Sequence, residues 1–339
     1  MTEPAQGPET AAAGAPAPRR RTPLWQKLVP WAITVACFSY LYVRLAGAAA
    51  RQGQSALGYL GGVFAEVSWT SWLALMIPYS VFFFLVDSTV VWRVVNWFNT
   101  RVALKDILPI RGSSYILSIV NEQVGKGAMG LYLYQRHGVP GWEVGSSMIF
   151  IMFCEFYYLL SWATLGWMLS RDQLPAEFEA IPYILAGALV FFVVFHLFFT
   201  GVIPIGAALR DRPLFKSFRE ASVGRYLTII VLRSPAIALA VVVYTLALRL
   251  FGPQIDMATM LGYLPVIFFG AATPGPMRSV AITLWVVLFP GEDPARMTAF
   301  GIVQHNFFIF FNAAIGLLFL RRANRELFGE DAAPAVAGR

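Results

Sequence analysis

Runs of about 20 apolar residues recur from Leu28 to the end of the chain, which is the length an α-helix needs to cross the hydrocarbon core of a bilayer. Such runs leave few folds open. Backbone amides in lipid must be satisfied within their own segment, so each run reads as a helix and the chain as an all-α polytopic membrane protein. Composition agrees, because 58% of the 339 residues are hydrophobic and 13% are charged. A water-soluble fold of this size could not hide that apolar excess.

Several function classes fall away on the same evidence. Cys37 and Cys154 lie singly inside apolar runs, and no His pair has metal-ligand spacing, so neither a disulfide framework nor a metal or other cofactor is expected. The formal net charge of +7 comes from basic residues that flank apolar spans. That is a membrane pattern and not a nucleic-acid stripe.

Residues 1–24 are rich in Ala, Pro, Gly and Glu and read as a disordered cytoplasmic tail ahead of a membrane domain over residues 25–325, with residues 326–339 as a second cytoplasmic tail. The first span is Leu28 to Leu45; a cleaved signal peptide ending near Ala46-Gly47-Ala48 is the rival reading, which Arg44 and the length of the run oppose. Leu57, Leu60, Phe64 and Val67 recur at helical spacing, as in a helix lying in the outer interface, or they sit in a loop. Further spans run from about Trp69 to Val91, Glu143 to Leu169, Pro182 to Ile205, Tyr226 to Leu250 and Ala295 to Leu320.

Two regions, about 103–141 and 256–289, resist this pattern. Each has two short apolar arms around a polar or glycine-containing break: Asn121-Glu122-Gln123-Val124-Gly125-Lys126-Gly127 in one and Thr273-Pro274-Gly275-Pro276 in the other. Re-entrant helical hairpins describe both; a cytoplasmic amphipathic loop is the alternative for the first. Six spans plus two hairpins put Arg19, Arg20, Arg21 and Lys27, then Arg93, Arg101 and Lys105, then Arg210, Arg212, Lys216, Arg219 and Arg225, and finally Arg321, Arg322 and Arg325 on one side. Only Arg44, Arg51, Arg171, Arg249 and Arg296 fall on the other. The bias places both termini in the cytoplasm of a multi-pass protein of the cytoplasmic membrane.

A shift of 150 positions sets Gly125 on Gly275, Pro140 on Pro290, Gly141 on Gly291, Glu143 on Asp293 and Phe150 on Phe300. The chain then reads as an inverted repeat, the construction of many secondary transporters, unless Pro and Gly coincide by chance.

The stretch from Ser114 to Gly138, SYILSIVNEQVGKGAMGLYLYQRHG, followed by Val139-Pro140 and a long span, resembles the first motif of the lysylphosphatidylglycerol synthase transmembrane-region family, often called flippase-like. Thr273-Pro274-Gly275 with Arg278, followed by a Pro-Gly and a last span, resembles its second. Lys126 is the base nearest the position of the family's Arg, and Arg278-Ser279 stands where the family carries Arg-Glu. The resemblance covers roughly residues 25–325 and implies movement of lipids or lipid-linked molecules between leaflets. The soluble aminoacyltransferase domain of the bifunctional members is not expected in the 14 residues after Arg325.

Charged groups at membrane depth are costly, which selects Asp87, Glu122, Lys126, Glu155, Arg233 and Arg278. Lys126 and Arg278 each lie at or just after a hairpin tip, where free N–H groups and a helix N-terminus also attract anions. With Glu122, Asn121 and Arg233 they form the candidate substrate-binding set for a lipid phosphate; snorkelling or pairing with a carboxylate is the plainer reading. Glu155 and His305 coincide under the shift and are candidates for proton coupling. Their plainer roles are an ion pair between Glu155 and Arg233 and a hydrogen bond from His305 within the bundle.

The function that follows is a transporter for an anionic phospholipid or polyprenyl-phosphate-linked substrate, without catalytic residues. Two alternatives stay open: a non-transporting membrane partner of a separately encoded lipid-modifying synthase, and an intramembrane lipid-modifying enzyme. Gly125-Lys126-Gly127 is no phosphate-binding P-loop, because no hydroxyl follows the Lys.

Overall fold

The computed structural model describes the backbone of residues 24–120, 122–272 and 279–328 and the side chains of residues 28–29, 31–116, 129–271 and 279–322. Within these the chain is helical, with no strand. It begins with α1 (Leu24–Arg51), α2 (Ala56–Glu66) and α3 (Trp69–Phe98), continues through α4 (Leu104–Val120), α5 (Glu122–His137) and α6 (Gly141–Ser170), and turns into α7 (Ile181–Phe199). Two short helices, α8 (Ala207–Arg210) and α9 (Lys216–Glu220), lead to α10 (Val223–Arg249), α11 (Met257–Ala272), α12 (Ser279–Val287) and α13 (Pro294–Phe328). Six of them, α1, α3, α6, α7, α10 and α13, are long and apolar enough to cross a membrane. This is an all-α polytopic membrane protein.

α1 continues through Ala46-Gly47-Ala48 and buries Leu41, Leu45, Ala48 and Ala49, while Thr34 and Ser279 of α12 share a buried hydrogen bond of 3.2 Å. α1 thus packs against α12, α13 and α2. The stretch with Leu57, Leu60 and Phe64 is a helix, capped by the Ser55 hydroxyl, which accepts from the Gly58 N–H at 3.1 Å. Trp69 and Trp142 are exposed, whereas Trp72 is buried with its ring 4.8 Å from that of Phe307. Its position near the start of α3 suggests an interface, yet α13 covers it.

The element order repeats. Moved by 150 positions, α3 falls on α10, α4 on α11, α5 on α12 and α6 on α13. Packing repeats with it: α4 lies along α13, and correspondingly α11 lies along α6, while α3 and α10 pack against each other. Each half contributes three crossing helices and one pair of shorter ones, α4 with α5 and α11 with α12. α3 and α10 run antiparallel, with Tyr79 beside Tyr244 and Asp87 beside Arg233, so these equivalent helices point in opposite directions.

Glycines mark the two equivalent crossings. A Cβ on Gly166 of α6 would stand 2.5 Å from the backbone nitrogen of Gly262 on α11, and one on Gly316 of α13 would stand 2.5 Å from the carbonyl oxygen of Gly112 on α4. Gly112 matches Gly262 and Gly166 matches Gly316 under the same shift. Both obstacles are backbone, so no side-chain rearrangement can make room.

Gly166→Ala and Gly316→Ala should each destabilise the fold by about 1–3 kcal/mol, the range for overpacking a tight contact. Thermal unfolding in detergent reads this, with Gly47→Ala as control, since a Cβ there meets nothing within 4 Å.

Candidate functional site

Two large apolar cores divide the molecule. One takes Trp72, Met76 and Tyr79 of α3 and Ala240 to Leu248 of α10; the other takes Val90 to Phe98 of α3 and Tyr226 and Ile229 of α10. On both helices the residues between these cores include charged ones, Asp87 and Arg233, and on α6 Glu155 falls between Cys154 of the second core and Leu160 of the first. Arg233 is ten residues into α10, roughly 15 Å along its axis.

Asp87 is the centre of this layer. Its Oδ2 accepts from Arg111 Nε at 2.6 Å and from the Tyr115 hydroxyl at 2.8 Å, and its Oδ1 lies 3.5 Å from a terminal nitrogen of Arg233. The other terminal nitrogen of Arg233 reaches Glu155 Oε1 at 3.3 Å. Two guanidiniums and two carboxylates balance formally. Burial is uneven: the Asp87 and Arg233 side chains are 5% and 8% exposed, Arg111 17%, and Glu155 44%. The interior charges are therefore committed to one another, while Glu155 opens outward. Arg111 also lies over the Tyr115 ring, 4.9 Å from its centroid.

Local sequence explains the placement. Arg111 and Tyr115 are four residues apart on α4 and so share a face. They bind one carboxylate of α3, and this ties the first hairpin arm to a spanning helix. Pro235 follows Arg233 by two residues inside α10 and cannot donate to the carbonyl one turn earlier, which loosens the helix beside the charge. Among the described residues, Arg233 Nε is buried with no hydrogen-bond partner.

Of the residues selected from the sequence, the structure brings Arg233 and Glu155 together and adds Asp87 to them. The pairing of Glu155 with Arg233 is the plainer of the two roles set out for it. His305 occupies the matching place on α13 but has different surroundings: it is buried, and its Nε2 accepts from Trp285 Nε1 at 3.3 Å. The two thus share a register position without sharing chemistry. His196 stacks on Phe192 with a centroid distance of 5.8 Å, as a packing histidine does. Asn121 and Arg278 lie outside the described residues, as do the side chains of Glu122 and Lys126. Arg111 and Tyr115 are the residues that sequence reasoning did not place in the site. Their four-residue spacing in an otherwise apolar arm was the available signal.

The network separates two kinds of damage. Arg233→Gln leaves Asp87 its bonds to Arg111 and Tyr115, whereas Asp87→Asn leaves two buried guanidiniums facing a neutral amide. Breaking a buried pair by removing one partner costs about 3–5 kcal/mol. Asp87→Asn should reach that range and exceed Arg233→Gln in denaturant unfolding of the detergent-solubilised protein; the reverse order would displace Asp87 from the centre of the layer.

No protein-family model, curated protein or solved structure matches this chain.

Proposed function

We propose that this protein is a membrane transporter that moves a phospholipid or lipid-linked phosphate between leaflets without altering it chemically. The observation that carries the reading is the duplicated unit of three crossing helices and one helical hairpin, with the two hairpins embraced reciprocally by α13 and α6. Transporters built from inverted repeats place their sites where such interrupted helices approach the midplane. In this reading the hairpins are re-entrant, both termini face the cytoplasm, and the membrane is the cytoplasmic one.

The charged layer supports the assignment. Ionisable groups inside a membrane domain are expensive and ordinarily serve a pathway. A buried N–H without a partner is a further cost, and an incoming phosphate oxygen would satisfy Arg233 Nε once α10 and its neighbours part. Lys126, in the first turns of α5, and Arg278, just before α12 in the chain, supply the remaining positive charge for the headgroup. Tails remain in the bilayer while the polar group passes, so Glu155 on the exposed flank is the gate residue in this reading.

Lys126→Ala and Arg278→Ala should each slow leaflet exchange of a fluorescent anionic phospholipid in proteoliposomes by about tenfold, which corresponds to about 1.4 kcal/mol of barrier, with unfolding temperatures unchanged. Exchange at the parental rate in both variants would overturn the reading.

A further inference from the structure

A second polar site lies far from the charged layer, at the other end of α3. There the last turns of α1, the helix α2 and the turn between α12 and α13 enclose a cleft of about 530 Å³. Arg44 and Arg51 line it from α1, seven residues apart and so on one face, with Gly47 and Ala48 between them. Glu292 lines it from the turn between α12 and α13. A Cβ on Gly47 or Gly291 would meet nothing within 4 Å, so the space beside both glycines is open.

Other polar groups here are already engaged. Gln52 donates to the Tyr59 hydroxyl at 2.9 Å, and that hydroxyl donates to Asp293. Burial, reinforced by the Asp293 carboxylate, raises Tyr59 above the ordinary phenol range and keeps it a donor. Asp293 also caps α13, accepting from the Ala295 N–H at 2.7 Å. Arg44, Arg51 and Glu292, by contrast, form no ion pair among the described residues.

The repeat supplies a control for what the fold itself requires. Subtracting 150 from Glu292 gives Trp142, and adding 150 to Arg44 and Arg51 gives Val194 and Gly201. The Tyr59–Asp293 tie has a counterpart of the same structural kind in Lys216 with Glu143. The three unpaired charges have none. The architecture therefore does not need them, and they remain for a ligand.

We propose that this cleft binds the headgroup of a zwitterionic lipid, a phosphodiester bearing an ammonium. Two guanidiniums from one helix face can grip phosphate oxygens as charge-assisted donors, and Glu292 then faces the ammonium. An anionic lipid would leave Glu292 unmatched. An amphiphile is favoured over a soluble phosphodiester because exposed Val43 lines the cleft, and α12, which packs against α1, exposes Val287. The proposal concerns equilibrium binding and stands whether or not the protein exchanges lipid between leaflets.

The test is titration calorimetry on the detergent-solubilised full chain with dihexanoyl phosphatidylethanolamine, dihexanoyl phosphatidylglycerol and glycerophosphoethanolamine. The double variant Arg44→Gln, Arg51→Gln should lose about tenfold or more in affinity for the first lipid. Glu292→Gln should erase the preference for it over phosphatidylglycerol, and the chainless headgroup should bind about tenfold more weakly than the lipid. Unaltered affinity in the double variant would overturn the site, equal binding of the chainless compound would reassign it to a soluble phosphodiester, and an undiminished preference in Glu292→Gln would overturn the ammonium contact. Arg44 and Arg51 are exposed and Glu292 is half-buried without an ion pair among the described residues, so the unfolding temperature should stay unchanged and a lost signal reads binding.

Discussion

A single carboxylate, that of Asp87, allows three helices to carry polar groups through the middle of an apolar bundle. Without it, Arg111 on α4 and Arg233 on α10 would be two desolvated cations with only partly exposed Glu155 between them, an arrangement that costs about 3–5 kcal/mol. With it, a hairpin arm, a long span of the first half and a long span of the second half converge on one pair of oxygens. The two cores can then pack independently above and below the layer.

The glycine crossings govern the larger geometry. Gly112 with Gly316 and Gly262 with Gly166 let α4 sink against α13 and α11 against α6 to backbone contact, and small residues serve this purpose in membrane helices because lipid offers no hydrophobic force to press helices together. Each half thereby clasps the hairpin of the other. Symmetry ends at the charges, since the repeat places Ile237 and Leu261 opposite Asp87 and Arg111. Shape is shared between the halves, whereas chemistry is concentrated in the first hairpin's surroundings.

The spans were legible because length and apolarity decide a helix in lipid almost alone, and the hairpin arms because their apolar runs stop short around Asn121 and around Thr273. Pro140-Gly141 and Pro290-Gly291 disclosed the duplication because they stand at or just before the starts of equivalent helices. Lateral neighbours were not legible. Arg111 looked like one more charge in an ambiguous arm until α3 stood beside it, and Gly112, Gly166, Gly262 and Gly316 carry no signal until one knows which helices cross. Trp72 is a similar case: its place near the start of a run can be read, but its coverage by α13 cannot. Glu155 and His305 matched in register, and register says nothing of whether Arg233 or Trp285 is the partner.

The pairing of α4 with α13 has a consequence for biosynthesis. The first hairpin arm leaves the ribosome long before the last helix that will cover it, and for that interval it must survive in or beside lipid with a guanidinium on its surface. Asp87 precedes Arg111 by only 24 residues, so the neutralising partner is already present when the arm emerges. Arg233 and the glycine clasp arrive later, onto a charge that has already been quenched.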